Sequence, residues 1–399
     1  MTWIVLASLA LEAAVGYPAA LHVRIPHPVV WAGNTIGALE RWWNKPAYSF
    51  AQRRLLGFVA VVLVTGAAVL AGWGVQWVVA RLAESIAWSA GAGAGGTVAD
   101  AGTSMGQVVA GGDVAGALGA VGAMGAGGAV GGAAGTVGAA GAYGIAWAVN
   151  LAAMAVIALV GTIGLAQRSL FEHVNNVLTS LRAGDLPASR ERVSLIVGRD
   201  THQLDATGVS AAALESLAES FNDGIVAPTF WFLIAGLPGL FAYKVINTAD
   251  SLIGHKEERW RAFGWTAARV DDVANLVPAR IAGVLLVLAG LRGFAVMLSD
   301  AAKHASPNAG WPEAAMAGAL RIRLGGPATY DGVVHERPVF GTGPAPGVAE
   351  LRRGLRLYVV ACALLWLAIA AVGVVAMGSD VAGARPGVAG TASGASWLH

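Results

Sequence analysis

Residues 55–80, 143–165 and 357–377 are predominantly apolar runs with no charged residue. Each is close to the ~20 residues that a helix needs to cross a bilayer. Three other apolar segments are interrupted. Residues 2–16 are short for a crossing, 225–246 contain Pro228 and a break from Gly236 to Gly239, and 281–298 carry Arg292. Backbone polar groups in lipid must be satisfied internally, so such segments read as tilted, re-entrant or packed against protein. The pattern predicts an all-α polytopic integral membrane protein. It has about four full crossings, one being the first helix, plus two re-entrant or interfacial helical segments at 225–246 and 281–298.

Composition agrees with this class. The 399 residues are 56% hydrophobic with 55 glycines, and the mean hydropathy is +0.62. A net charge of +2, with no basic run interleaved with aromatics, excludes a nucleic-acid-binding protein. The single cysteine, Cys362, lies inside an apolar run, which excludes an intrachain disulfide framework and a thiolate metal site. The N-terminal run resembles a signal peptide in hydropathy, but no Lys or Arg precedes Arg24 and Glu12 interrupts it. An uncleaved first membrane helix is expected.

Charge bias sets the expected topology. The 17–54 loop holds Arg24, Arg41, Lys45, Arg53 and Arg54, whereas 81–142 holds only Arg81 against Glu84, Asp100 and Asp113. The positive-inside rule puts the first loop in the cytoplasm and the second outside. The stretches 166–224, 247–280 and 300–356 also carry several Lys and Arg residues each. All of them stay on one side only if neither 225–246 nor 281–298 crosses fully. The expected organisation is N-terminal helices with a basic loop (1–90), a Gly/Ala low-complexity linker (91–142), a core with polar motif loops (143–356), and a last helix with a tail (357–399). The linker has no lysine for a phosphate cradle.

The polar motifs concentrate between Gly198 and Arg280. Asp205 or Thr207 can cap a helix reaching Phe221, on which Glu215, Glu219 and Asn222 share a face, with Asp223 just beyond. Carboxylates one turn apart repel unless a cation lies between them, so Mg²⁺ coordination and a solvated face are the two readings. NTADS offers Asn247 and Asp250, and DDVAN offers Asp271, Asp272 and Asn275, near Lys244, His255, Lys256 and Arg259. Hard oxygen donors beside bases suit a Mg²⁺-phosphate group, while helix capping and interfacial ion pairing need the same residue types. In GRDT, Arg199 stands beside Asp200 and Thr201, where it can grip a phosphate or pair with Asp200 or Asp205. In SPNAGWPE, Asn308 belongs to a turn, and Glu313 lies near a helix N-terminus that Pro312 opens. His27, between two prolines, reads as structural, and no His/Cys cluster has zinc-ligand spacing.

These motifs, together with PHPVVWAG, ESLAESFNDGIVAPTFW, the run from LPGLFAYKVINTADS to VDDVANLVPARI, and SPNAGWPEAAMAGALRIRLGGP, resemble the adenosylcobinamide-phosphate synthases of cobalamin biosynthesis. The likeness covers nearly the whole chain except 91–142 and the last twenty residues. It departs where the family has a Gly-Asp-Pro turn after the first helix and this chain has Gly16, Tyr17 and Pro18. The resemblance implies a multi-pass enzyme of the cell (inner) membrane with its active side cytoplasmic. Such an enzyme uses ATP and Mg²⁺ to join (R)-1-aminopropan-2-ol, or its O-phosphate, to the free propionate carboxylate of adenosylcobyric acid. Self-association and complexes with other corrinoid-pathway proteins are further partners it leaves open.

Residue types then suggest the roles. Glu215, Glu219, Asp223, Asp250, Asp271 and Asp272 are expected to hold Mg²⁺, and Glu313 or His255 to act as base. Arg199, Asp200, Thr201, Lys244, Lys256 and Arg259 are expected to contact nucleotide or substrate, with Asn247, Asn275 and Asn308 hydrogen-bonding phosphates or corrin amides. Two other classes fit less well. A Mg²⁺-dependent prenyl- or phosphotransferase shares acidic pairs, but its usual two-residue aspartate spacings are missing here. A non-catalytic corrinoid-binding or transport protein explains broken helices but not so many loop acids.

Overall fold

The computed structural model describes residues 1–16, 27–91 and 133–383. Tyr17, Pro18, most of the Gly/Ala linker and the residues from 384 onward lie outside the described residues. The N-terminal half consists of α1 (Thr2–Val15), α2 (Pro28–Trp43), α3 (Phe50–Gly91), α4 (Ala133–Thr162), α5 (Gln167–Arg182) and α6 (Leu186–Ser194). It continues through α7 (Ala206–Phe221), a π-helical turn (Asn222–Val226), α8 (Ala227–Ile253), α9 (Glu258–Arg261), α10 (Trp265–Ala274) and α11 (Leu276–Gly290). After α12 (Phe294–Asp300) and α13 (Gly310–Leu320) come four short strands, then α14 (Val348–Gly383).

Four helical segments are long and apolar enough to cross a membrane: Phe50–Ser89, Gly144–Arg182, Ala206–Ile253 and Val348–Met377. The number agrees with the expectation from hydropathy, but the membership differs. By length, 14-residue α1 is not among them, while the segment through 225–246 is. The apolar run near 281–298 ends early: α11 forms with α10 a pair bent by 50°, and Leu291, in a left-handed conformation, closes it. The expected break in α8 is real. Ala235 and Gly236 leave helical geometry, Gly236 has φ +64°, and the Gln76 side chain accepts from the freed Leu237 N–H at 3.2 Å. Glycine is required there, because an added Cβ would lie 2.7 Å from the Gln76 amide oxygen.

The chain divides into two compact units, one of Met1–Trp3, Ala80–Ala153 and Ile369–His399, the other of Ile4–Val79 and Met154–Ala368. The second carries all the candidate residues. Its core is α7 and α13, with Val209, Leu214, Leu217 and Phe221 on one and Ala314 to Ala317 on the other fully buried. Small residues dominate α13, so neighbouring helices approach closely. On α3, by contrast, Leu55, Phe58, Val62 and Leu63 face outward, as lipid contact requires.

Two features explain oddities of the sequence. Glu12, the acid inside the first apolar run, is buried, and its carboxylate accepts from the Gln167 N–H at 2.9 Å and the Arg168 N–H at 3.2 Å. It thereby caps α5, whose own N-cap, Ala166, has no side chain to do so. The strands are β1 (Leu324–Gly325), β2 (Ala328–Tyr330), β3 (Val333–His335) and β4 (Val339–Phe340), paired antiparallel as β1–β4 and β2–β3. Asp331 and Gly332, both at positive φ, make the two-residue turn of the second pair. Asp-Gly between β-formers is a hairpin signal that the apolar pattern does not register.

Candidate active site

Helix α7 does not run smoothly into α8. The π-helical turn inserts an extra residue per turn at Asn222–Val226 and turns Asn222 and Asp223 toward α8 and α10. On α8, Tyr243, Asn247 and Asp250 follow helical spacing along the facing side, and the end of α10 contributes Asp271, Asp272 and, at the bend, Asn275. These elements enclose a cavity of about 320 Å³. Acids and amides form its floor, namely Glu219, Asn222, Asp223, Asp250, Asp271, Asp272 and Asn275, and Lys256 stands at its side. The SPNAGWPE segment supplies the opposite wall through Ser306, Asn308 and Pro312, joined by His304.

One hydrogen-bond network fixes the floor. The buried Asn275 side-chain oxygen accepts from Asn222 Nδ2 at 2.8 Å and from the Tyr243 hydroxyl at 3.1 Å, while its Nδ2 donates to Asp271 Oδ2 at 3.0 Å. Asn222 Nδ2 also donates to Asp223 Oδ1 at 2.7 Å. Asn247 Nδ2 reaches Asp223 Oδ2 at 3.3 Å and Asp271 Oδ1 at 3.4 Å, so one amide bridges two carboxylates from different helices. The Lys244 ammonium lies within electrostatic reach of the same two acids, although its side chain lines a neighbouring, mainly apolar cavity with Trp31 and Phe241. Asn222 Oδ1 is buried without a hydrogen-bond partner. Such unpaired buried oxygens are uncommon, and this one stands beside a carboxylate-lined cavity.

Several expected residues lie elsewhere. Glu215 is buried, and its carboxylate is engaged by Arg199, by Arg337 Nη1 at 3.0 Å and by the Gly325 N–H at 2.8 Å. Arg199 is accordingly committed to Glu215 rather than to the cavity. Asp200 fastens the Asp-Gly hairpin, donating its N–H to Thr329 O and accepting from the Gly332 N–H, both at 2.8 Å. Thr201 is buried in the turn leading to α7, where its carbonyl accepts from the Leu204 N–H. Arg259 points away and grips Glu40 through two bonds of 3.0 and 2.8 Å. His255 is exposed beside Trp260, with ring centroids 5.3 Å apart, and does not line the cavity.

Glu313 sits behind the wall. Its Oε1 is 3.7 Å from His304 Nε2 and its Oε2 is 3.7 Å from Arg337 Nη2, with no hydrogen bond to Oε2. Burial raises its pKa well above the ordinary range, and repulsion from Glu219 and Glu215 adds to this against the pull of Arg337 and Arg199. Burial also lowers the His304 pKa. The His304 Nδ1 accepts from the Ser306 N–H at 2.9 Å, which leaves Nε2 to face Glu313. Asn308 orients the wall, donating to Asp272 O at 2.7 Å and accepting from Arg280 Nη1 at 3.0 Å.

Of the six carboxylates expected to surround one cation, five line the cavity and Glu215 does not. Among the described residues no group of three or more His, Cys, Asp or Glu is arranged as a ready metal cage. Sequence reasoning passed over His304, which lines the cavity, and Tyr243, Arg280 and Arg337, which bond to or pair with residues that line or back it. His304 stands two residues before the SPN turn and was within reach of such reasoning; Arg337, in an extended segment, carries no pattern that points to it.

The sequence model of the CobD/Cbib protein family matches residues 5–121 and 105–358. The "Cobalamin biosynthesis protein CobD" of Rhodobacter capsulatus is 41% identical over 372 residues, covering 92% of this chain and 96% of that protein. The protein of that name from a Sinorhizobium species is 37% identical over 371 residues, covering 90% and 94%. The Brucella suis protein is 54% identical over a shorter stretch of 184 residues, covering 44% and 56%. No solved structure matches. With a family match across more than half its length and relatives of this identity and coverage, the chain belongs to the CobD/Cbib protein family.

Proposed function

We propose that this chain is a membrane-embedded amide ligase of cobalamin biosynthesis, joining aminopropanol or its O-phosphate to the propionate carboxylate of adenosylcobyric acid at the expense of ATP. The pathway comes from the names its relatives carry. The observation that carries the chemistry is the floor in which Asn247 bridges Asp223 and Asp271 beside the unpartnered Asn222 Oδ1. Mg²⁺ typically takes one or two protein carboxylates and fills its octahedron with water and phosphate oxygens, so a complete protein cage is not required. The donor set of Asp223, Asp271 and the Asn222 oxygen fits that demand, with Asp250, Asp272 and Glu219 around it.

A carboxylate is a poor electrophile, and bound Mg-ATP would supply the phosphoryl or adenylyl group that activates it. The protein's part is to position and to balance charge. Lys256 at the cavity side, with Lys244 behind the floor, offsets phosphate charge. The wall at Ser306 and Asn308, held by Arg280, excludes water from the activated acyl group. When the amine nitrogen bonds to the acyl carbon, phosphate or AMP leaves, and the ammonium proton passes to a carboxylate. Asp250, which lines the cavity, is better placed for that role than Glu313 or His255, which do not. A cavity of about 320 Å³ is at the small end of ligand pockets, ~300–1,000 Å³. It therefore takes the reacting ends while the corrin ring stays at the rim. The five Lys and Arg residues of 17–54, a stretch whose Glu40 binds Arg259, support a cytoplasmic active side in the cell membrane.

The test is purified protein with adenosylcobyric acid, ATP and Mg²⁺, each amine being offered in turn, with the corrinoid product followed by mass and ADP distinguished from AMP. Corrinoid amide formed only when all three substrates are present is the expected outcome. Corrinoid binding without nucleotide turnover under every condition would refute ligation and leave a binding protein.

A further inference from the structure

A second polar cavity, of about 510 Å³, lies where α2 ends and α3 begins, and it shares no lining residue with the candidate active site. Four cations line it, Arg41, Lys45, Arg53 and Arg259, against Glu40 and Glu258. Two of the four build it. Arg53 donates to Asn44 Oδ1 at 2.6 Å and to the carbonyls of Glu258 and Arg259, tying α9 across the top of α3. Arg259 closes its two-pronged grip on Glu40, and this hydrogen bonding keeps the Glu40 pKa below the ordinary range, so that acid is already neutralised. Arg41, in the last turn of α2, and Lys45, just past its C-cap, are both exposed and make no ion pair among the described residues. Two free cations thus face a preorganised rim with a surplus of positive charge.

The position says what they meet. Immediately after Arg53 and Arg54 the apolar run of α3 begins at Leu55, with Leu55 and Phe58 turned outward. Cations here stand at the level of lipid headgroups. Aromatic side chains share that level: Trp42 and Phe50 are exposed, and the Arg54 guanidinium lies 3.5 Å from the centre of the Trp265 ring. Interfacial aromatics beside bases are the signature of a membrane-water boundary. We propose that this cavity is a binding site for the phosphodiester headgroup of an anionic phospholipid, with Arg41 and Lys45 as the ligating cations. Leu55 and Phe58, exposed on the face of α3 away from Arg53, mark the depth at which the acyl chains of such a lipid begin, and a soluble phosphate has none. The site is independent of the ligase reading.

Native mass spectrometry of the full-length protein in mild detergent tests it, with phosphatidylglycerol or phosphatidylcholine added and inorganic phosphate as competitor. The intact protein retains phosphatidylglycerol preferentially, and millimolar inorganic phosphate does not displace it. Each basic residue near an anionic surface strengthens binding roughly fivefold, so R41Q/K45Q weakens retention by about 25-fold. R41K/K45R restores it, and R182Q/R323Q, which removes two exposed cations elsewhere, leaves it unchanged. Equal retention of the two lipids, wild-type retention by R41Q/K45Q, or full displacement by inorganic phosphate would each overturn the proposal.

Discussion

Replacing Glu215 by Gln separates a structural acid from a metal ligand more sharply than any other single change. The Glu215 carboxylate is almost wholly shielded, with 4% of its side chain exposed, and Arg199 and Arg337 meet it with only 12% and 17% of theirs exposed. Gln keeps the shape and can still accept from the Gly325 N–H through Oε1. It turns the oxygen that accepts from both guanidinium groups into an NH₂, which faces donors. Charge-assisted hydrogen bonds contribute about 1.5–3 kcal/mol each, and breaking a buried ion pair from one side costs about 3–5 kcal/mol. The Gly325 bond survives, so a loss at the lower end of that range, about 3 kcal/mol, is expected. Chemical denaturation in detergent micelles should show a lower midpoint that added Mg²⁺ does not restore. The Mg²⁺ concentration for half-maximal turnover should stay at its wild-type value. A wild-type midpoint combined with a raised Mg²⁺ requirement would refute the structural role and return Glu215 to the metal site.

Asp271→Asn should behave in the opposite way: little change in stability, but a raised Mg²⁺ requirement and loss of most corrinoid amide formation, because Asp271 lies in the carboxylate floor. Glu313→Gln should raise the unfolding midpoint at pH 8. The raised folded-state pKa means that the native protein is penalised once pH exceeds the unfolded value of about 4.3. That advantage should vanish as pH falls toward about 4.3; an advantage that grew on acidification would contradict the assignment. Gly57→Ala should abolish stable folding as judged by detergent gel filtration, since a Cβ there would stand 1.8 Å from the Phe263 carbonyl oxygen. Wild-type elution would show that α3 and the 260s loop do not meet as closely as described.

The long uninterrupted runs of α3, α4 and α14 were legible because membrane crossing is a property of composition over about twenty residues. The Gly236 break was legible too, since Gly and Pro within one apolar run announce it. The acids of the candidate site were found by their density in a chain poor in charge, and five of the six proposed for the metal do line one cavity. Their partners were not legible. Arg337 meets Glu215 across 122 positions and Arg259 meets Glu40 across 219, and local spacing carries no information about contacts at that range. The hairpin at Asp331 and Gly332 is a different kind of omission, because its turn signal is local and was hidden by attention to hydropathy alone.

What the sequence determined by itself was therefore the class of protein and the inventory of chemistry: a helical membrane chain with acids, amides and bases gathered between Gly198 and Asn308. The tertiary structure decided which of those groups act together. Burial forced Glu215 into an arginine clamp, the π-helical turn brought Asn222 and Asp223 to Asn247 and Asp271, and the junction of α2 and α3 drew Arg259 away to Glu40. The physical reason is the same in each case. A charged side chain removed from water must find a partner, and which partner lies within reach depends on how the helices pack rather than on residue type.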